Sequence, residues 1–286
     1  MTEKNINRLL PARKPNSHKG DYGHILILAG SLGLTGAAYL ASQGAVLSGS
    51  GLVTLGIPKS LNTIMEVKLT EAMTKPLPET KDKTLSLKAF SKIKGLLGHV
   101  DALAIGPGIS RQKETVKLVH KILINADIPI VLDADGINAL ENNTKVLTKL
   151  KASLIITPHP GEISRILRKS VAEIQKDRIK IAKGLANTYN IVVALKGHHT
   201  VVADRTGKTY INNTGNAGMA SGGCGDVLTG MIASLLGQGM APFIATKLAV
   251  YVHGLAGDLA KKEKGEISLT ATDLLNKLPA AFKQIG

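Results

Sequence analysis

The chain has 286 residues, 44% of them hydrophobic, enough for one large α/β domain with a sizeable core. Its net charge of +15 favours anionic partners, but with no Trp, 3 Phe, 5 Tyr and dispersed Lys and Arg it has neither the stacking platform nor the basic helix of a nucleic-acid binder. A single cysteine, Cys224, excludes a disulfide framework, and no signal peptide or apolar run of ~20 residues points to a membrane, so the expected setting is the reducing cytoplasm.

Residues 1–15 are polar and read as an N-terminal tail. Strands and helices then alternate: a buried strand over 24–31, a small-residue helix over 36–51 and a strand over 52–58. Residues 85–97 read as helix, 101–108 as a strand ending in a glycine turn, 112–124 as amphipathic helix, 128–136 as strand, and 152–162 as a strand running into a turn. Helices are expected across 163–189, and strands over 191–197 and 199–212, the latter turning at Asp204–Gly207. Apolar strands alternating with helices specify a mostly parallel central sheet with helices on both faces, and the 197–212 hairpin adds antiparallel strands at one edge. No linker or repeat divides 1–286, so a single domain is expected.

In such a sheet, ligands bind beyond the carboxyl ends of the strands. Four of those ends carry unusual chemistry: GPG at 106–108, DADG at 133–136, TPHPGE at 157–162 and KGHHT at 196–200. For Asp133 or His159 taken alone, turn formation or helix capping is the simpler role. The fifth segment, NNTGNAGMASGGCGDVLTG at 212–230, sets a dense run of glycines ahead of an apolar helix expected at or just after Asp226. Glycines before a helix let backbone N–H groups converge at the positive end of its dipole, which makes an anion cradle. A carboxylate on that rim suits a base taking a proton from a group that attacks phosphate; the alternative is an ordinary N-cap. Cys224 in the same loop is expected to feel the helix terminus, which favours the thiolate, and to be covered by bound nucleotide. Two helices, roughly 242–263 and 270–284, close the chain. The phosphate-binding G-x-x-x-x-G-K-[ST] pattern is absent, the G-x-G-x-x-G spacing after the first strand is absent, and no Cys/His spacing suits a metal.

With these segments assembled, the chain resembles the ADP/ATP-dependent NAD(P)H-hydrate dehydratases of the ribokinase-like superfamily. The resemblance runs from about residue 15 to the C-terminus. Its motifs are HKGDYGHILILAGS (18–31), GAA (36–38), GLVTLG (51–56), IGPG (105–108), DADGINAL (133–140), TPHPGE (157–162), LKGHHT (195–200), NTGNAGMASGGCGDVLTGMI (213–232) and VYVHGLAGD (250–258). It implies a repair lyase that phosphorylates the hydroxyl of a hydrated nicotinamide at the expense of ADP or ATP and then eliminates phosphate.

By the resemblance, Asp226 is the catalytic base, and Ala37, Gly108, His159 and Asp226 contact the hydrate. Lys196, Gly197, His198, His199, Thr200, Asn216, Gly222, Gly223, Cys224 and Gly225 hold the adenine nucleotide. Glu162 helps position Mg²⁺ through water, although His159 stands where related kinases carry Asn, which puts metal duty for that position in doubt. The resemblance also implies a homo-oligomer, often a tetramer, and cooperation with a separate NAD(P)H-hydrate epimerase, because nothing of that size precedes His18. The competing readings are a vitamin-precursor kinase of the same superfamily and a non-catalytic nucleotide- or RNA-binding protein.

Overall fold

The structure, a computed structural model, describes residues 13–286 and, ahead of them, Ile6, Leu9 and Leu10. Most of the expected tail therefore lies outside the described residues. Its described part is docked: Ile6 is buried, Leu9 and Leu10 pack against the core, and Arg13 donates to the Gly49 carbonyl at 2.6 Å.

The apolar runs become the strands of one nine-stranded sheet: β1 (His24–Leu28), β2 (Leu52–Pro58), β3 (Met73–Leu77), β4 (Ala102–Ile105), β5 (Ile130–Leu132), β6 (Leu154–Ile156), β7 (Val192–Leu195), β8 (Val201–Ala203) and β9 (Thr209–Ile211). The order is β3-β2-β1-β4-β5-β6-β7-β8-β9. Pairing is parallel from β3 through β7, and β8 and β9 are antiparallel, as the hairpin at 197–212 requires.

Alternate residues of each strand face opposite cores. Ile25 and Ile27 of β1 join one cluster with helices α1 (Thr35–Leu47), α2 (Asn62–Lys68), α9 (Cys224–Gly237), α10 (Pro242–Lys264) and α11 (Ala271–Ile285). Leu26 and Leu28 join the other with α3 (Phe90–Leu97), α4 (Lys113–Asn125), α5 (Ala134–Asn138), α6 (Pro160–Leu167), α7 (Val171–Lys176) and α8 (Arg178–Tyr189). Burial on both faces explains why these strands read as continuous apolar runs rather than alternating ones.

Several boundaries differ from the sequence reading. The strand expected over 128–136 ends at Leu132, where α5 soon begins, while the strands at 101–108 and 152–162 give way to their expected turns after Ile105 and Ile156, the second turn leading into α6. Short segments at a strand–helix junction carry too few residues for either period to show. The edge strand β3 escapes a periodicity reading because most of its residues are exposed and it contains Pro76.

Candidate active site

Parallel pairing puts the carboxyl ends of β1, β2 and β4 to β7 on one edge. The strand order reverses at β1, with β2 and β3 on one side and β4 onward on the other, which opens a crevice beyond β1 and β4. Loops after those strands are stitched together: the Gly30 N–H donates to the Pro107 carbonyl at 2.8 Å, and the Ser31 hydroxyl to the Gly108 carbonyl at 2.7 Å. A Cβ on Gly108 would lie 3.1 Å from the Ala37 Cβ, so the two backbone positions expected on the substrate are neighbours.

The glycine segment is held from α10. Asp258 accepts from the Gly215 N–H (2.8 Å) and from the Asn216 side chain (3.0 Å), while Asn216 Oδ1 accepts from the Gly218 N–H at 3.0 Å. Both polar atoms of the Asn216 side chain thus shape the loop that leads into the cradle. Asp258 has no signal of its own in the sequence beyond its place in the 250–258 segment.

Helix α9 starts at Cys224, two residues before Asp226, with Gly223 as its cap at φ 97°. That backbone region suits glycine. Asp226 is therefore the third helical residue and not the N-cap. Its carboxylate accepts no hydrogen bond among the described residues, and no acceptor there reaches the amide N–H groups of Gly222 to Asp226. Converging N–H donors beside an uncommitted carboxylate can bind an anion and take a proton at one spot. Burial, reinforced by Asp133 and opposed by Lys196, pushes the Asp226 carboxyl up to about 7.

Cys224 corrects the sequence reading. Its side chain turns inward, only 5% exposed, into the core cluster of α9, and burial raises the thiol above its usual range despite the helix terminus. With the thiol turned into the core, only the backbone of Cys224 faces the cradle, and the thiol is no reporter of nucleotide.

Two other side chains divide the capping question. Asp133 precedes α5 but does not cap it. At 1% exposure it accepts from Lys196 Nζ at 2.6 Å on Oδ1 and from the Thr229 hydroxyl at 2.8 Å on Oδ2. Burial alone would lower the Lys196 pKa, but Asp133, Glu162 and Asp226 outweigh it and hold the ammonium above its ordinary value. His159 does cap: its Nδ1 accepts from the N–H groups of Gly161 (3.0 Å) and Glu162 (3.3 Å), and Glu162 Oε2 accepts from the His159 N–H at 2.7 Å. Burial and then Lys196 and Arg165 lower the His159 pKa, and its Nε2 lies 3.5 Å from Glu162 Oε1.

Glu162 is 4% exposed, and burial pushes its carboxyl up to about 7 against the pull of Lys196. No cluster of three metal-binding side chains occurs among the described residues. With one oxygen committed to the cap, Glu162 fits Mg²⁺ as an acceptor for metal-bound water better than as a direct ligand, since Mg²⁺ keeps several waters.

The turn at 196–200, expected to hold nucleotide, is pinned from both sides. The Lys196 N–H donates to the Pro158 carbonyl at 2.8 Å, which joins the β6 and β7 ends. Arg178, at the start of α8, donates to the carbonyls of His198 and, at 2.8 Å, Leu195. His199 takes φ 54°, and its Nδ1 lies 3.1 Å from the Asn212 carbonyl oxygen. The His198 and His199 ring centroids are 3.8 Å apart, and the Thr200 hydroxyl donates to the Gly197 carbonyl at 3.1 Å. Arg178 sits in no motif and could not be found by pattern. On the opposite edge of the sheet a cleft of about 650 Å³, lined by Lys151, Tyr189, Arg205 and Phe243, stands apart from this chemistry.

The sequence pattern of the NAD(P)H-hydrate dehydratase family matches residues 25–280. A bifunctional NAD(P)H-hydrate repair enzyme Nnr of Moorella thermoacetica is 47% identical over 276 residues, which cover 96% of this chain and 52% of that protein. The chain thus spans about half the length of the first curated relatives it matches. A crystal structure of ADP/ATP-dependent NAD(P)H-hydrate dehydratase from Bacillus subtilis, co-crystallised with ATP/Mg²⁺, superposes with a TM-score of 0.86 at 35% identity, covering 100% of this chain and 98% of that one. Ribokinase from Thermotoga maritima (TM-score 0.51, 13% identity, 90% of this chain and 99% of that one) shares the fold alone.

Proposed function

Because this chain belongs to the NAD(P)H-hydrate dehydratase family, we propose that it returns the S-form of NADH hydrate and NADPH hydrate to NADH and NADPH at the expense of ADP, giving AMP and phosphate, or of ATP. The observation that carries this reading is Asp226, an uncommitted carboxylate beside a row of unpaired backbone N–H groups.

In this reading the hydrate lies over Ala37, Gly108 and His159 with its hydroxyl toward Asp226. Asp226 accepts the hydroxyl proton as that oxygen attacks the terminal phosphorus of the nucleotide and the bond to the leaving AMP oxygen breaks. The amides of Gly222 to Gly225 stabilise the charge on the phosphoryl group in transit. The turn at 196–200 holds the nucleotide. Glu162 would orient the waters of a Mg²⁺ ion, which would supply charge neutralisation at the phosphates. The ring nitrogen's lone pair then expels phosphate, and loss of a proton from the adjacent carbon restores the double bond. The reading also includes a cytoplasmic setting, a homo-oligomer such as a tetramer, and cooperation with an NAD(P)H-hydrate epimerase.

The test is incubation of purified protein with NADH hydrate, Mg²⁺ and ADP or ATP. Return of reduced-nicotinamide absorbance in step with AMP and phosphate from ADP is the expected result. Inactivity on the hydrate, with phosphorylation of a vitamin precursor supplied in its place, would replace the dehydratase with a kinase.

A further inference from the structure

We propose that Asp133 is a positioning residue for the transfer step: gripping Lys196 with one carboxylate oxygen and Thr229 with the other, it holds a half-buried ammonium under the glycine cradle and ties the first turns of α9 to the end of β5. The inference rests on the proposed function for the identity of the step but not for its geometry.

The ion pair meets the cradle at Gly225. A Cβ there would lie 3.2 Å from Lys196 Nζ and 3.8 Å from Asp133 Oδ2, so the ion pair sits directly against the cradle's backbone. Thr229 is fully buried one turn further along α9, and its hydroxyl also lies 3.1 Å from the Gly225 carbonyl oxygen. One carboxylate thus fixes both the helix that carries Asp226 and the charge beneath it. Asp133, in direct contact, keeps the ammonium charged against desolvation together with Glu162 and Asp226. With Asp133 in place, the positive charge persists where phosphate oxygens arrive, and it is preorganised rather than recruited.

The groups that face Asp226 come from several places: Asp133 just after β5, Asp135 in α5 and Lys196 just after β7. Glu162 and His159 on α6 and His253 on α10 surround Lys196 in turn. Asp133 and Lys196 act on Asp226 with opposite sign. Removing the Asp133 charge makes Asp226 more acidic, and removing the Lys196 charge makes it less so.

The test compares wild type, Asp133→Asn, Lys196→Met, Thr229→Val and the double variant Asp133→Asn/Lys196→Gln. Each is assayed for folding by thermal unfolding, for ADP affinity against pH and for kcat against pH. Asp133→Asn should lower kcat about 10–100-fold, the scale of a small misplacement, and move the rising limb of the kcat profile to lower pH. Lys196→Met should move that limb to higher pH. Thr229→Val, which leaves both charges in place, should lower kcat without moving it. If a single-charge variant does not fold, the charge-neutral double variant serves: its limb should stay near the wild-type position while kcat is lost. Limbs that stay fixed, or move the same way, in folded Asp133→Asn and Lys196→Met would reduce Asp133 to a structural tie. The pH dependence of ADP binding reports the same shifts without turnover. A wild type inactive on hydrate would therefore remove the dehydratase reading while leaving this inference to its own result.

Discussion

Asp226 combines two properties that are rarely joined, a helix-terminal position that favours the carboxylate and a burial that favours the acid. Burial prevails and places its titration at about 7, where a base can accept and release a proton. Asp226→Asn should keep fold and nucleotide affinity while turnover falls roughly 10²–10⁴-fold, the usual loss with a general base. Near-normal turnover would leave Asp226 without a chemical role. A second expectation concerns stability. The folded state holds the Asp226 proton up to about 7 while the unfolded chain releases it in the ordinary carboxyl range, so between those limits the residue costs stability as pH rises. The Asn variant should therefore gain stability relative to wild type between about pH 4 and 8, read from denaturant midpoints at matched pH. A flat difference would mean that Asp226 is solvated like a surface acid. At this scale the sequence discloses residue type and spacing but not partnership. Asp226 and the glycines are readable from their spacing. The Asp133–Lys196 pair spans 63 residues and needs the sheet order to bring it together. The inward turn of Cys224 depends on which face of α9 it occupies, and two residues' error in the helix start is enough to misplace it.

The elements that carry these residues are held by close backbone contact. Helices α1 and α9 meet where a Cβ on Gly230 would lie 1.9 Å from the Ala41 carbonyl oxygen and one on Gly44 would lie 2.5 Å from that of Val227. Gly230→Ala should destabilise by about 3 kcal/mol or more, since backbone rather than a side chain must move, and should lower turnover by tilting the cradle helix. A thermal unfolding series with Gly230→Ala and Gly44→Ala checks this; unchanged midpoints would deny the tight crossing. The 195–199 turn depends on Arg178 in a different way. Arg178→Lys keeps the charge but loses the forked donor that spans two carbonyls, so KM for nucleotide should rise about tenfold or more with a smaller change in kcat. Equal losses in kcat and kcat/KM would place Arg178 in the transfer step instead. Long apolar helices and buried strands are readable in the sequence because their periods persist. β3 is not, being largely exposed and interrupted by Pro76, and neither are α5 and the first turn of α6, which begin within segments that read as strand and turn.

At the scale of the whole molecule, the net charge of +15 has no matching nucleic-acid surface in the sequence, and its dispersed lysines lie largely on helix faces. RNA retention should therefore be weak and fall steeply between 50 and 200 mM salt, which a filter-binding titration reads. ADP binding should persist over the same range. The strand order also has a consequence in time. The crevice opens between β1 and β4, whose chain is made early, but the cradle lies on α9, which packs against α1 and over β1, β4 and β5 only after residue 224 has been added. A growing chain can thus pair most of its sheet while one face of that sheet still lacks its central helix. That face is apolar and exposed during the interval, the period of greatest aggregation risk for a chain folding as it is made. The amides that would meet phosphate do not converge until the same helix docks. Burial of the core and completion of the site are one late event, so an interrupted chain is left without the cradle as well as without its final shape.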